Sequence, residues 1–213
     1  MITNEIKARQ WLEALPEWDQ VAAERIELLI AMLAEENQRQ NLVAAATLPQ
    51  VWQRHIADSA QLLPFVPRET CRTWLDLGTG AGFPGLVIAA LRPDCTVVMI
   101  ESRARRVEWL ERARLALGLS QARVIGTRLE LVNSGQFDAI SARAFAPLVR
   151  LLELSARFST KDTLYLLPKG RSAQQELSEL AGWNHLFHVE QSLTDPAAGV
   201  IVGQLLGKKG KKP

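Results

Sequence analysis

The stretch Asp76-Leu77-Gly78-Thr79-Gly80-Ala81-Gly82-Phe83-Pro84-Gly85 decides how the rest of the chain is read. It follows a short apolar run, residues 72–77, that reads as a strand. It opens an apolar segment, residues 84–91, that reads as a helix, with Pro84 near the first turn where a missing N–H costs nothing. Glycines at alternate positions let a chain turn sharply and let a ligand approach the backbone. The helix that follows is expected to offer unpaired N–H groups and the positive end of its dipole to an anion.

Downstream of the turn, strand and helix alternate. Residues 96–101 read as a strand and 103–117 as a helix closed by Gly118. Residues 123–126 read as a strand followed by a short turn or helix, 137–141 as a strand, and 147–158 as a helix. Residues 163–167 read as a strand and 171–180 as a helix stopped by Gly182. Residues 185–193 and 200–206 read as strands with only a short turn between them. Strands separated by helices must be parallel, with right-handed crossovers, whereas the tightly joined last pair must be antiparallel. The expectation for residues 71–207 is a Rossmann-like α/β domain with a seven-stranded, mostly parallel sheet and one reversed strand near an edge.

Upstream, residues 1–70 read as a helical extension. Val21, Ile26, Leu28, Leu29, Met32 and Leu33 form an apolar stripe at helical spacing, residues 36–41 break it, and a further helix fits 49–63. At the other end, residues 208–213 form a basic tail expected to be disordered.

The chain has 213 residues, of which 47% are hydrophobic and 23% charged, the mix of a soluble globular protein. Two cysteines make no disulfide framework, and no Cys/His spacing suggests a metal site. The first residues have no apolar run of the signal-peptide kind, and no stretch is long and apolar enough for a membrane helix, so the expected location is the cytoplasm. Net charge is only +2, but residues 1–70 carry 6 Lys+Arg against 10 Asp+Glu, and residues 71–213 carry 19 against 13. Lys208, Lys209, Lys211 and Lys212 belong to the basic part. The asymmetry hints at a polyanion partner, although lysine tails also serve solubility.

Two cofactor readings fit the glycine turn. Gly80 to Gly85 matches the dinucleotide pattern GxGxxG literally, with Glu101 21 residues after Gly80. The other register, Asp76-x-Gly78-x-Gly80-x-Gly82, suits S-adenosylmethionine, whose cationic amino group and sulfonium tolerate Asp76, Glu101 and Glu130 nearby, where a pyrophosphate would be repelled by Asp76. The reversed final hairpin also favours the class I S-adenosylmethionine methyltransferase sheet. No Lys-Ser or Lys-Thr follows the glycines, which excludes a P-loop. Glu101, ending the second strand, is placed to accept both ribose hydroxyls, or else is a solvated strand-end acid. Glu130 is expected near the adenine, with a plain surface acid as its alternative.

The acceptor should sit at the carboxyl ends of the strands, beside Ser141-Ala142-Arg143-Ala144-Phe145-Ala146-Pro147. That segment has no Asp/Asn-Pro-Pro-aromatic motif to hold an exocyclic amine and no cysteine to add to a pyrimidine. An acceptor that is nucleophilic without losing a proton, such as guanine N7, fits such a site, and alignment and desolvation then carry catalysis. Lys169 and Arg171 follow the fifth strand on the same side and are expected to meet a polyanion. The five arginines of 103–114 read either as a solvated helix face or as phosphate contacts.

The chain resembles the RsmG family, also called GidB, over nearly its whole length. Its markers are Asn41-Leu42, Arg54-His55-Ile56-Ala57-Asp58-Ser59, the glycine segment with its Phe-Pro-Gly ending, Ser141-Ala142-Arg143-Ala144 and Lys169-Gly170. The resemblance implies methylation of N7 of guanine 527 in bacterial 16S rRNA, with S-adenosyl-L-methionine as donor and 16S rRNA or the small ribosomal subunit as partner of a monomer. It implies cofactor contacts at Gly78, Phe83, Leu129, Glu130 and Arg143, beside Asp76, Gly80, Gly82 and Glu101. Arg143 and Lys169 are the expected catalytic residues. Arg54, His55, Lys169, Arg171, Lys208 and Lys209 are the expected RNA contacts, with a helix-docking network as the alternative for the Arg54–Ser59 group. Where the family has Asn-Leu-Thr, this chain has Asn41-Leu42-Val43. Two rival functions remain: a nicotinamide-dependent oxidoreductase, and a non-catalytic RNA-binding factor of ribosome assembly.

Overall fold

Five short parallel strands, β1 (Thr73–Leu77), β2 (Thr96–Ile100), β3 (Ala122–Ile125), β4 (Ala139–Ser141) and β5 (Leu164–Gly170), carry the fold. The structure, a computed structural model, describes residues 1–210; Lys211, Lys212 and Pro213, the end of the expected basic tail, lie outside the described residues. β1 is central, with β2 and β3 on one side and β4 and β5 on the other. The crossovers therefore leave in opposite directions from β1 and β4, and the crevice at that switch point is where such sheets bind ligands. Side chains alternate between the two faces with the strand period of two. Trp74, Val97, Met99 and Leu166 pack on one side; Leu75, Leu77, Val98, Ile100, Tyr165 and Leu167 pack on the other.

The sheet is completed by β6 (Trp183–His185), β7 (His188–Gln191) and β8 (Gly199–Lys208). β8 runs antiparallel to β5, and β6 and β7 both pair with the far side of β8. The strand expected over 185–193 is thus two pieces, giving eight strands rather than seven among the described residues. A local irregularity divides it: the Phe187 N–H turns to His185 Nδ1 at 3.1 Å, while Leu186 N–H still bonds Gln204 O at 2.9 Å. Gly203 lies at φ +144, and a side chain there would meet Leu186 O at 2.4 Å, so the backbones can touch only because position 203 has none. β8 also runs further than the expected 200–206. Lys208 ends it and the Lys209 N–H bonds Gly182 O at 2.9 Å, which corrects the expectation that the tail begins at 208.

Helices α1 (Glu5–Glu13) and α2 (Gln20–Glu36) precede the sheet. Asn4 and Asp19 cap them, their side chains accepting the Lys7 and Ala22 N–H groups at 2.9 and 2.7 Å. The single helix expected over 49–63 is instead irregular. It comprises a 3-10 turn at Ala45–Gln50, a π-helical stretch at Trp52–Ala57, one α turn, α3 (Asp58–Ala60), and a 3-10 turn at Leu63–Phe65. Glu5 of α1 accepts the Trp52 and Gln53 N–H groups at 3.0 and 2.8 Å, supplying partners at that helix start.

Beyond β1 come α4 (Gly85–Leu91), α5 (Ala104–Ala116), α6 (Leu148–Ser155) and α7 (Ala173–Ser178). Every residue of α4 is buried, because it lies between the sheet and α2 and α3. That explains why its sequence, GLVIAAL, has no polar face. The extension and the sheet therefore share one hydrophobic cluster, which joins Leu12, Ile26 and Leu33 to Leu86, Met99 and Leu110. A buried ion pair, Arg92 Nη2 to Glu17 Oε1 at 2.9 Å, pins the end of α4 to the turn between α1 and α2. Among the described residues no helix is long and apolar enough to cross a membrane.

Candidate active site

The glycine turn is shaped from within by Asp76. Its Oδ2 accepts the Gly85 N–H at 2.9 Å and its Oδ1 accepts the Ser141 hydroxyl at 2.8 Å, while Trp74 Nε1 donates to the same Ser141 oxygen at 2.9 Å. Asp76 is 0% exposed and lines neither of the two cavities at this end of the sheet. This corrects the expectation of an acid at the mouth of the turn that touches the cofactor. It also corrects the expectation of an anion site at the start of α4, since Asp76 takes the first helical N–H itself.

Gly78 has φ +61, and a Cβ there would stand 2.3 Å from Phe145 Cδ2. Only glycine permits both the left-handed backbone and the close seat of that ring. Gly80 donates its N–H to Glu101 Oε2 at 3.0 Å. Gly82, at φ +98, faces inward, where a Cβ would meet Leu86 Cδ1 at 2.3 Å, so the missing side chain lets Leu86 pack there.

Two cavities open at the carboxyl ends of the strands. The first, of about 280 Å³, is lined by Gly78, Glu101, Arg103, Arg106, Leu129 and Glu130 among others. Glu101 is 6% exposed; its Oε1 accepts the Ser102 and Arg103 N–H groups at 2.8 and 2.9 Å. These bonds hold the carboxylate against the wall beside the glycine backbone. Leu129 is buried and supplies an apolar surface, while Glu130 is exposed at the rim and pairs with Arg150 at 3.4 Å. The second cavity, of about 720 Å³, lies between β4, β5, the 45–65 segment and the turn before β8. Ala144 and Phe145 line both and form the wall between them. Ala144 is held at φ +52, a conformation that costs a non-glycine residue about 1–2 kcal/mol.

Arg143 enters the larger cavity from the end of β4. Its Nη1 donates to Asp58 Oδ2 at 3.3 Å and to Arg54 O at 3.4 Å, and its Nη2 lies 3.4 Å from His55 Nδ1. Asp58 Oδ1 accepts from Gln61 Nε2 at 2.9 Å and from Thr194 Oγ1 at 2.7 Å. The Arg54–Asp58 group is therefore a docking network that joins the extension to β4 and to the turn before β8. His55, expected to contact RNA, is 6% exposed; it lines the larger cavity with its ring nitrogens engaged in this network. Burial, with the Arg143 and Arg54 charges beside it, holds its ring down to about 3. Phe83, expected against the cofactor, is buried under His55 (ring centroids 5.1 Å apart) and under the Arg143 guanidinium at 5.3 Å, and lines neither cavity.

Lys169, expected to act on the RNA, lines the larger cavity with its amine engaged by protein groups. Its side chain is 8% exposed, and Nζ contacts Ala146 O at 2.6 Å and Glu176 Oε2 at 2.9 Å. Arg54 is exposed at the larger cavity and pairs with Asp195 at 3.4 Å. Arg171 lines a separate groove of about 310 Å³. Lys208 and Lys209 lie at the opposite edge of the sheet, because β8 runs back toward the amino end of β5. Lys208 Nζ rests 5.3 Å from the Trp183 ring, so the structure does not bring these lysines to the site. On α5, Arg105 and Arg112 bond Arg39 O at 3.1 Å and Glu36 Oε2 at 2.7 Å, which docks that face on the extension, while Arg103 and Arg106 line the smaller cavity. Sequence reasoning missed Thr194 and Asp195, whose contacts with Asp58 and Arg54 span long sequence separations that no local pattern reveals, and Thr47, which reaches His55 only eight residues on. It also gave Phe145 no role, although that residue lies in the segment examined for the acceptor.

The strand order, the reversed β8 and the glycine-floored crevice define the fold of the class I S-adenosylmethionine methyltransferases. A structure described as a SAM dependent methyltransferase from Aquifex aeolicus superposes with a TM-score of 0.58 at 14% identity, covering 82% of this chain and 98% of that one; the likeness is one of fold. Sequence carries the identification further. The family model GidB, rRNA small subunit methyltransferase G, matches residues 22–196. The protein named ribosomal RNA small subunit methyltransferase G from Novosphingobium aromaticivorans is 59% identical over 215 residues, spanning 100% of this chain and 92% of that protein. Its namesake from Erythrobacter litoralis is 55% identical over 205 residues, spanning 96% and 98%. The chain belongs to the GidB family.

Proposed function

We propose that this protein transfers a methyl group from S-adenosyl-L-methionine to N7 of guanine 527 in 16S rRNA. The observation that carries the reading is the pair of cavities meeting at Ala144–Phe145, one for a nucleoside donor and one for a base. The donor cavity suits that cofactor: Glu101 stands where a diol can donate to a carboxylate, Leu129 offers an apolar surface for a purine ring, and Gly78 removes the side chain that would block its floor. When bound, S-adenosylmethionine supplies an electrophilic methyl group on a sulfonium.

The larger cavity supports an acceptor that needs no base. Its acids and its imidazole are already engaged: Asp58 with Arg143, Gln61 and Thr194; Glu176 with Lys169, Ser172 and the Leu148 N–H; Asp195 with Arg54; His55 with Thr47 and Arg143. Guanine N7 has an in-plane lone pair and no proton to lose, so orientation and exclusion of water suffice. Arg143 orients the guanine edge or the cofactor, and its donors match the O6 acceptor of guanine where adenine presents an amino group. Arg54 and Arg171 contact RNA phosphate from the rim. Lys169 acts by holding the turn through Ala146 rather than by touching substrate. The target base leaves its stack to enter the cavity. The names of the relatives support rRNA of the small subunit as the acceptor class.

The test is incorporation of tritiated methyl groups into naked 16S rRNA, an assembly intermediate and the assembled small subunit, with the modified nucleotide mapped. N7-methylguanosine at position 527 on at least one substrate is expected. A methyl group on another atom or nucleotide, or none on all three, rejects the reading.

A further inference from the structure

Arginine has only hydrogen-bond donors. Since Arg143 Nη2 lies 3.4 Å from His55 Nδ1, that ring nitrogen must accept. A neutral imidazole that accepts at Nδ1 carries its proton at Nε2. His55 Nε2 lies 2.8 Å from Thr47 Oγ1, which must then accept, and the Thr47 hydroxyl donates onward to Ala44 O at 2.7 Å. Every proton in the chain Ala44–Thr47–His55–Arg143 is thereby assigned. The ring's neutrality is independently favoured by its burial and by the Arg54 and Arg143 charges beside it.

The consequence concerns Arg143. Asp58 and Arg54 O hold Nη1, His55 holds Nη2, and Phe83 lies under the guanidinium. Its Nε–H has no hydrogen-bond partner among the described residues, and the residue lines the larger cavity. We propose that His55, fixed as the Nε2–H tautomer by Thr47, is a positioning residue that aims the Arg143 guanidinium so that its Nε edge stays free for the methyl acceptor. This rests on the methyl-transfer reading above.

Three substitutions separate positioning from mere filling of space. His55→Phe keeps the stack on Phe83 but accepts nothing from Arg143. His55→Gln places an amide near the Nε2 site and leaves nothing at Nδ1. His55→Asn places an oxygen near the Nδ1 site. Single-turnover methyl transfer to rRNA is expected to fall about a hundred-fold in the Phe and Gln variants, the scale of an Å-sized misplacement. S-adenosylmethionine affinity should change by less than about threefold, and Asn should recover most of the lost rate. His55→Phe combined with Arg143→Ala should be no slower than Arg143→Ala alone, because one acts through the other. Additive losses, or equal rates in the Phe and Asn variants, overturn the assignment while an active wild type leaves the functional reading standing; a wild type that transfers no methyl group overturns that reading. Nitrogen-15 spectra of the wild-type histidines need no variant: a protonated Nε2 and an accepting Nδ1 at His55 from pH 5 to 8 support the proposal, and the opposite tautomer rejects it.

Discussion

Asp76 has no contact with solvent, and both of its oxygens accept bonds from the groups that shape the glycine turn. Burial pushes its carboxyl up to about 6, outweighing the hydrogen bonds that pull it down. The folded-state value lies above the unfolded 3.8, so the stability this group contributes is fully present below about pH 3.8 and is lost as the pH rises through about 6. The span corresponds to about 3 kcal/mol. An Asp76→Asn variant cannot titrate there. Urea unfolding at pH 4, 5.5 and 7 should therefore show the variant's deficit against wild type shrinking by most of that amount as the pH rises; a constant deficit contradicts the account. The motif spacing picked Asp76 out of the sequence as functional but misassigned what it touches. Spacing reports that an acid is needed beside a glycine turn; whether it faces a ligand or the turn's own N–H groups depends on Ser141, 65 residues away.

At the scale of elements, strands of three to seven mostly apolar residues set between helices were legible because burial of the sheet's faces demands apolar runs. The 45–65 segment was not. Its π-helical turn depends on Glu5 reaching back to Trp52 and Gln53, and local propensity is blind to such a contact. The 144–147 turn shows the same limit. Lys169 tethers it through Ala146 O, and Glu176 accepts the Leu148 N–H that opens α6 at 2.7 Å. A lysine so engaged is expected to support the turn and leave phosphate to other residues. Lys169→Met is expected to lower stability by about 1.5–3 kcal/mol, the worth of hydrogen bonds to a charged group. It should leave unchanged the slope of log affinity for rRNA against log salt. A slope reduced by about 0.9, the signature of one lost phosphate contact, would show instead that Lys169 binds the backbone.

For the whole molecule, connection lengths alone yielded the mostly parallel sheet and its reversed strand, because crossover geometry leaves few alternatives. The charge asymmetry was less informative. The lysines at 208 and 209 end on the far edge of the sheet, and two arginines of α5, Arg105 and Arg112, dock on the acidic extension. What no linear pattern could convey is that Thr194 and Arg143 meet at Asp58, beside the larger cavity, from three parts of the chain. The smaller cavity, with Glu101 and the Gly78 backbone in its lining, is proposed to take a nucleoside that carries positive charge rather than a diphosphate. Titration calorimetry of the wild-type protein with S-adenosylmethionine and, separately, with NAD tests this directly. One S-adenosylmethionine bound per chain and no heat from NAD is the predicted result; saturable NAD binding without S-adenosylmethionine binding would contradict it.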